Sequence, residues 1–436
     1  LTLRPANTLL YLLIIWSLLA LLVAFQPFLL PLWTVSGGVL AVIAIIDAWQ
    51  VYRCINPHIT REVANSLALN VWNDVELQLS NSTKIPYYFT VFDDYPLYST
   101  TQGLPYRGQL PAKSTLALRY RLKPYRRGES AFKGVHLRVH SKWHCWEHRR
   151  FITLNKTIRI YPNFSLISKY ALLATENRLG QLGIRKRQRR GEGLDFHQLR
   201  EYQEGDALRQ IDWKATARYR RLISREYQEE RDQQIVFLID CGRRMLAQDD
   251  ELSHFDHTLN AILLLSYVAL RQGDALGLMT FSGTSRWFAP RKGMNTINLI
   301  LNTVYDLQPS IQASDYVAAA QSLMQRQQRR ALVVLISNLR DEDSSDLEPT
   351  LALLRQKHLV LLASLQEQIL TEVLEKPIQR FSDAIRYAAT HDYLQQRHHA
   401  HEQLAQKGVL YVDTTPTQLP IRMVNRYLEI KRSGQL

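Results

Sequence analysis

Three groupings in this 436-residue chain have residue types and spacings that chemistry uses. Cys241 follows the apolar run Ile235–Ile239 and Asp240, and a cysteine directly after a buried strand stands where an α/β nucleophile could. The loop lacks a Gly-x-Ser-x-Gly elbow, and spacing alone does not bring His254 or His257 into register as its base. A small buried thiol is the preferred reading. His136, His140, His144 and His148 recur every fourth residue, which on a helix would align imidazoles for a metal. Val135, Leu137 and Val139 alternate between them, so the first half reads as a strand, and exposed or loop histidines are expected. Arg185, Lys186, Arg187, Arg189 and Arg190 form a basic run suited to anionic lipid or to nucleic acid. No interleaved aromatics or zinc-finger spacing accompany it, so lipid contact or a solvated linker is favoured over nucleic acid. No phosphate-cradling Gly-x-x-x-x-Gly-Lys loop is present, so any ATPase would be a separate chain.

These groups need elements to position them. With 54 Lys+Arg, 40 Asp+Glu, a formal charge of +14 and 46% hydrophobic residues, the chain is no disordered tail, and its length allows several domains. Three widely spaced cysteines (Cys54, Cys145, Cys241) exclude a disulfide framework and point to a reducing compartment. Pro5–Ile46 contains no Asp, Glu, Lys or Arg, and is interrupted by Gln26-Pro27 and Pro31. It predicts a transmembrane helical hairpin, Thr8–Phe25 and Phe28–Ile46, within residues 1–52. Its length argues against a cleaved signal peptide. Arg4 precedes the first span and Arg53 and Arg61 follow the second, which predicts a multi-pass protein of the cytoplasmic (inner) membrane with both ends and the soluble domains cytoplasmic.

Residues 55–165 show short alternating runs punctuated by Asn, Pro and Gly, including Thr115–Leu122, Gly134–Val139, Arg149–Leu154 and Thr157–Ile160. They predict an antiparallel β-sandwich. Residues 166–233 read as a polar linker segment. In residues 234–436, apolar strands at Ile235–Ile239, Ala275–Phe281, Ala331–Ser337, Leu359–Leu365 and Val409–Val412 alternate with helical stretches. That pattern predicts an α/β doubly wound parallel sheet, with ligands beyond the strands' carboxyl ends, at Asp240–Arg244 and Ser337–Asp341.

Within the linker, Gly193-Leu194-Asp195-Phe196, Leu199-Arg200-Glu201-Tyr202, Gly205-Asp206, Arg209, Ile211-Asp212-Trp213 and Ala217-Arg218 resemble the signature of the bacterial domain-of-unknown-function 58 family. The resemblance implies a membrane hairpin, a β-rich module and a cytoplasmic von Willebrand factor A-like domain, associated with MoxR-type AAA+ ATPases. It further implies a metal-dependent adhesion site at the end of the first strand, where Asp-x-Ser-x-Ser, a Thr and an Asp would surround Mg²⁺. Here the loops read Asp240-Cys241-Gly242-Arg243-Arg244, Ser314-Asp315 and Ser337-Asn338, so the site is degenerate and no cofactor is expected. Either Arg243 or Arg244 takes the cation's place beside Asp240, or Asp240 caps the following turn. Arg200, Glu201, Asp206, Arg209, Asp212 and Arg218 form either a charged network over a packed Trp213 or a docking surface. The expected function is a non-enzymatic adaptor. A Cys-dependent hydrolase or transferase and a membrane-tethered nucleic-acid binder are the alternatives.

Overall fold

The computed structural model describes residues 2–53, 57–83, 85–164, 167, 195–203, 208, 211–228, 233–340 and 344–435. The chain divides into two compact units, Leu1–Tyr161 and Pro162–Leu436.

The first unit opens with strand β1 (Thr2–Pro5) and helices α1 (Asn7–Phe25) and α2 (Leu30–Arg53), joined by a 3-10 turn at Pro27–Leu29. Pro27 lacks the amide that the helical ladder needs, so α1 stops before it. Trp16 and Trp33 stack with ring centroids 4.3 Å apart, and each indole N–H donates to the other's backbone carbonyl, at 3.3 and 3.1 Å. This approach requires Gly37, where a Cβ would stand 2.5 Å from the Trp16 ring. Most apolar side chains of the two helices are exposed, and both helices are long and apolar enough to cross a membrane. The second runs past the expected end at Ile46, because Asp47 is fully buried and accepts the amide hydrogens of Trp143 and Cys145 at 3.4 and 3.3 Å.

Strands β2 (His58–Glu62), β3 (Ser66–Ala68), β4 (Asn73–Ser80), β5 (Tyr87–Asp93), β6 (Ser99–Gln102), β7 (Tyr106–Leu110), β8 (Thr115–Pro124), β9 (Gly128–His140) and β10 (Trp146–Tyr161) follow. They make two sheets, β2-β4-β8-β6 and β1-β10-β9-β5-β7, with β3 paired to β10. Pairing is antiparallel except for β3 with β10, so the sandwich is nearly but not wholly antiparallel. Val75, Leu77 and Leu79 of β4 and Val135, Leu137 and Val139 of β9 fill the core, as period-two alternation requires. The two runs expected at 149–154 and 157–160 are one strand with a register shift between Thr153 and Lys156.

Inside this core lies an ion pair, Arg61 with Asp93, whose side chains are 2% and 0% exposed. Arg61 also donates to the carbonyls of Leu154 and Gly134 and lies over the Phe132 ring at 4.5 Å. Tyr120 Oη donates to Asp93 at 2.5 Å. Burial first, then the Asp93 charge, pushes the Tyr120 hydroxyl above its ordinary range, which keeps it a donor.

The second unit contains β11 (Asp195–Glu201), α3 (Trp213–Tyr219), β12 (Ile223–Gln228), β13 (Gln234–Asp240), β14 (Gln248–Asp249), β15 (Leu252–Ser253), α4 (His254–Arg271), β16 (Ala275–Phe281), β17 (Trp287–Arg291), α5 (Thr296–Val304), α6 (Tyr316–Arg326), β18 (Leu332–Ser337), α7 (Ser344–Arg355), β19 (Leu359–Leu365), α8 (Gln368–Glu375), α9 (Phe381–Gln406), β20 (Leu410–Thr414) and α10 (Leu419–Arg432). Its main sheet has the order β17-β16-β13-β18-β19-β20. All five expected strands are present and parallel, but β17 is antiparallel, so the sheet is mixed and not purely parallel. β17 escaped the sequence pattern because an edge strand carrying Pro290 and half-exposed side chains lacks the continuous apolar run of a buried strand. Apolar clusters cover both faces. α4, almost wholly buried and started by a Ser253/Asp256 capping box, lies on one, and α6 and α7 lie on the other.

Candidate functional site

β13 lies between β16 and β18 with its carboxyl end at Asp240, where open α/β sheets hold their ligands. Asp240 is fully buried and its carboxylate is surrounded by donors. Oδ1 accepts from the Gly242 amide at 2.8 Å and from Ser314 Oγ at 2.9 Å. Oδ2 accepts from Ser314 Oγ at 2.7 Å and from Ser337 Oγ at 2.6 Å. Tyr316 Oη lies 2.9 Å from Ser337 Oγ and extends the network to the start of α6, which Asp315 caps through the Ala318 amide at 2.9 Å. Burial raises the Asp240 carboxyl above its usual range; Ser337, Ser314, the Gly242 amide and the charge of Arg244 oppose this without cancelling it. Burial and the neighbouring Asp240 push the Tyr316 hydroxyl to about 12.

Of the two alternatives expected for Asp240, the cap of the following turn is present, through the Gly242 amide, while the expected place of Asn338 is corrected. Asp240 takes its hydrogen bonds from Ser314, Ser337 and Gly242, while Arg244 acts on it through charge, and the Arg243 amide donates to the Gln312 carbonyl at 2.9 Å. Asn338 does not face Asp240. Its Nδ2 donates to Glu367 Oε1 at 3.0 Å and lies 3.3 Å from His254 Nδ1, while His254 Nε2 lies 3.0 Å from Asp249. Consecutive residues leaving a strand point to opposite sides, so Ser337 and Asn338 serve separate buried networks. Tyr316 is thus a site residue that the loop pattern did not point to, whereas Ser337, expected in the third loop, is the member of that loop that reaches Asp240.

Mg²⁺ requires several hard oxygen ligands in near-octahedral array. The site offers one carboxylate and two hydroxyls that already donate to it, with the positive charge of Arg244 nearby. A Cβ at position 242 would stand 2.5 Å from Ser314 Oγ and 3.0 Å from Asp240 Oδ1, so a serine there would have to displace the Ser314 hydroxyl from the carboxylate. The residues present therefore do not fit the ion. Titration with Mg²⁺ should show no saturable binding by calorimetry; a tight isotherm that Asp240→Ala abolishes would refute this.

Cys241 is fully buried and joins the apolar cluster of α4, with Sγ 3.9 Å from the Ile239 carbonyl. A thiol so buried in apolar surroundings is held out of solvent. Among the described residues no three His, Cys, Asp or Glu side chains gather around a common point for a metal. His136 is exposed on β9, His140 lies 3.1 Å from Thr90 Oγ1, His144 occupies the β9–β10 turn with φ +56°, and His148 is buried beside Arg150.

The other half of the strand-end crevice is closed by Arg397 of α9. It is buried and donates to Asp413 at 2.6 and 3.1 Å, to Ser364 Oγ at 2.6 Å, and to the carbonyls of Leu339 and Leu365 at 2.6 and 2.8 Å. His401 adds a contact to Asp413 at 3.4 Å.

The signature segment folds as the β11–β12 hairpin with α3 beside it. Asp212 caps α3 through the Ala215 amide at 3.0 Å and takes Arg225 Nε at 2.8 Å; these partners hold its carboxyl below the usual range. Glu201 pairs with Arg221, and Arg200 donates to the Glu201 carbonyl. The Tyr202 amide donates to the Leu222 carbonyl, and Arg218 stacks over Tyr219 at 5.9 Å. Trp213, the first residue of α3, is not packed beneath this network but 67% exposed. Asp195 and Phe196 lie on β11. Gly205, Asp206 and Arg209, and the basic residues Arg185, Lys186, Arg187, Arg189 and Arg190, lie outside the described residues.

Residues 198–384 match the family model for "Protein of unknown function DUF58". The uncharacterized protein YeaD of Bacillus subtilis (strain 168) is 23% identical over 181 residues, 42% of this chain and 43% of YeaD, so the match spans less than half the length of that relative. Among solved structures, proximal thread matrix protein 1 from the mussel byssus is 12% identical with a TM-score of 0.28, over 45% of this chain and 46% of that one. The CARDB domain of the PF1109 protein from Pyrococcus furiosus is 12% identical with a TM-score of 0.15, over 24% and 94%. The family match starts in β11, takes in the loops around Asp240 and ends within α9, and over those residues the chain carries a DUF58 domain.

Proposed function

We propose that the protein is a membrane-anchored adaptor that binds a protein partner through its DUF58 domain, with a MoxR-type AAA+ ATPase as the partner that the family resemblance implies. In this reading α1 and α2 span the inner membrane, the β-sandwich and the second unit are cytoplasmic, and the sheet of the second unit is a von Willebrand factor A-like module whose metal site has been replaced by a hydroxyl–carboxylate network. The observation that carries it is Trp213. It is 67% exposed on a hairpin whose charged neighbours Asp212 and Glu201 are already paired with Arg225 and Arg221. Leu199, Leu222 and Tyr219 are exposed in the same segment. An ordered surface that presents a tryptophan among apolar and arginine side chains has the composition of an interface anchor. The buried Cys241 and the saturated Asp240 weigh against the hydrolase alternative.

Crosslinking in the native membrane followed by mass spectrometry should capture an AAA+ ATPase through residues 195–218. Trp213→Ala should weaken that capture by about 2 kcal/mol or more, roughly thirtyfold. Its melting temperature should stay unchanged, since the side chain has little packing to lose. A lowered melting temperature with undiminished capture would assign Trp213 a structural role instead.

A further inference from the structure

The β9–β10 turn, Ser141–Cys145, is tied to both apolar helices where they leave their uncharged run. At the start of α1, the Ala6 amide donates to the Cys145 carbonyl at 2.8 Å. Near the end of α2, Asp47 accepts the Trp143 and Cys145 amides, and the Trp146 indole donates to the Ala44 carbonyl at 2.9 Å. Ala44 lies inside the uncharged stretch that closes at Ile46. The sandwich is thus bolted at one end to the level where the helices emerge, and its turn cannot stand off on a flexible stalk.

The surface at that level has a particular chemistry. Trp143 is 44% exposed at the tip of the turn, between exposed Lys142 and His144, and Trp49 and Tyr52 are exposed on the last turns of α2. Next to the turn, the outward face of the sheet places Arg4 opposite Glu147, and Arg138 opposite Arg149. Arg149 pairs with Glu147 at 3.0 Å, and Arg4, Arg138, Lys142 and Arg149 make four positive groups against two carboxylates, Glu147 and the buried Asp47. Tryptophan and tyrosine concentrate at the headgroup level, where an amphipathic ring has one face apolar and one edge wet. Arginine and lysine near the cytoplasmic leaflet are attracted by its anionic lipids.

We propose that the β9–β10 turn is a membrane-docking element: Trp143 seats in the headgroup layer beside the two helices, and Arg4, Lys142 and Arg138 face the anionic lipids of the same leaflet. The proposal rests on α1 and α2 spanning the bilayer. The docked turn would set a fixed height and tilt of the sandwich over the membrane, so that the first unit acts as a rigid pedestal.

The test places a benzophenone amino acid in the full-length protein at Trp143 or, for comparison, at exposed Tyr125, near the opposite ends of β9 and β10. After photolysis in phosphatidylcholine vesicles with and without phosphatidylglycerol, adducts are read by mass. Lipid adducts are expected at 143 and not at 125, with a higher yield in the anionic vesicles. Arg4→Gln combined with Lys142→Gln should lower that yield several-fold. If the protein resists alkaline extraction yet gives only protein adducts at 143, or equal lipid adducts at both positions, the docking element is refuted while the membrane spans stand. Equal yields in the two kinds of vesicle would refute its anionic preference. Release of the protein by alkali would overturn both readings.

Discussion

Asp93→Ala should destabilise the first unit by roughly 3 to 5 kcal/mol, because it leaves Arg61 charged, buried and without its counter-ion. The Arg61 side chain is 2% exposed and cannot turn to solvent from beneath two sheets. The same change removes the acceptor of Tyr120 Oη, a second buried polar group left unsatisfied. The pair also bridges the two sheets, Arg61 from β2 and Asp93 from β5, so its loss acts on the sandwich as a whole. Thermal unfolding or limited proteolysis of the purified protein in detergent should show early loss of the first unit, with Asp240 and its surroundings unaffected. The double variant Arg61→Met/Asp93→Leu should recover most of the loss, since replacing both charges removes the desolvation cost along with the attraction. If the single variant melts with the parent, the pair is a bystander in the core.

Asp413→Asn is expected to have the second-largest effect, again roughly 3 kcal/mol or more, now in the second unit. Arg397 depends on Asp413 for its only carboxylate contact among the described residues, with two of its donors engaged there. Burial alone would raise the Asp413 carboxyl; His401 and Arg397 outweigh it and hold the group down at about 2. A carboxyl depressed in the folded state adds stability that is present above its unfolded value of 3.8 and is lost as pH falls toward about 2. That window should contain about 2 kcal/mol of pH-dependent stability, which the Asn variant lacks. Calorimetry across the window decides the matter. A parental melting temperature that does not fall on acidification, or an Asn variant that falls in parallel with the parent, would remove Asp413 from this role. Because Arg397 also holds the carbonyls of Leu339 and Leu365, the variant should loosen the crevice beside the Asp240 network.

The residues that were legible in advance share a local cause. Forty-two residues without a charge, broken by Pro27, can only be two apolar helices with a turn. The apolar strands of the second unit and the alternating runs of the first follow from period and burial, which act over a few neighbours. The hairpin at 195–228 was legible only as a string of residue types, through the family resemblance, and not as a hairpin. The helices legible in the second unit, Phe255–Gln272, Met294–Asp306, Asp315–Gln327, Ile378–Lys407 and Leu419–Lys431, leave out α7 and α8, because Pro349 and the polar stretches around them dilute the helical pattern.

What only the tertiary structure decided is how polar groups are shared out. Asp47 interrupts an apolar helix in the sequence, and its partners, two amides of a β-turn, are about a hundred residues away. Ser337 and Asn338 differ by one step along a strand, yet one faces Asp240 and the other His254. Trp213, by its type, belonged in a core, yet it stands exposed at the start of α3. By itself the sequence determined the two apolar helices, the alternating strands of the sandwich and the order of the buried parallel strands, because hydrophobic periodicity and proline chemistry are local. The hydrogen-bond partners of Asp240 and the place of Arg397 were left to the fold, because a buried charge is satisfied by whichever distant donor the packing delivers within hydrogen-bond reach.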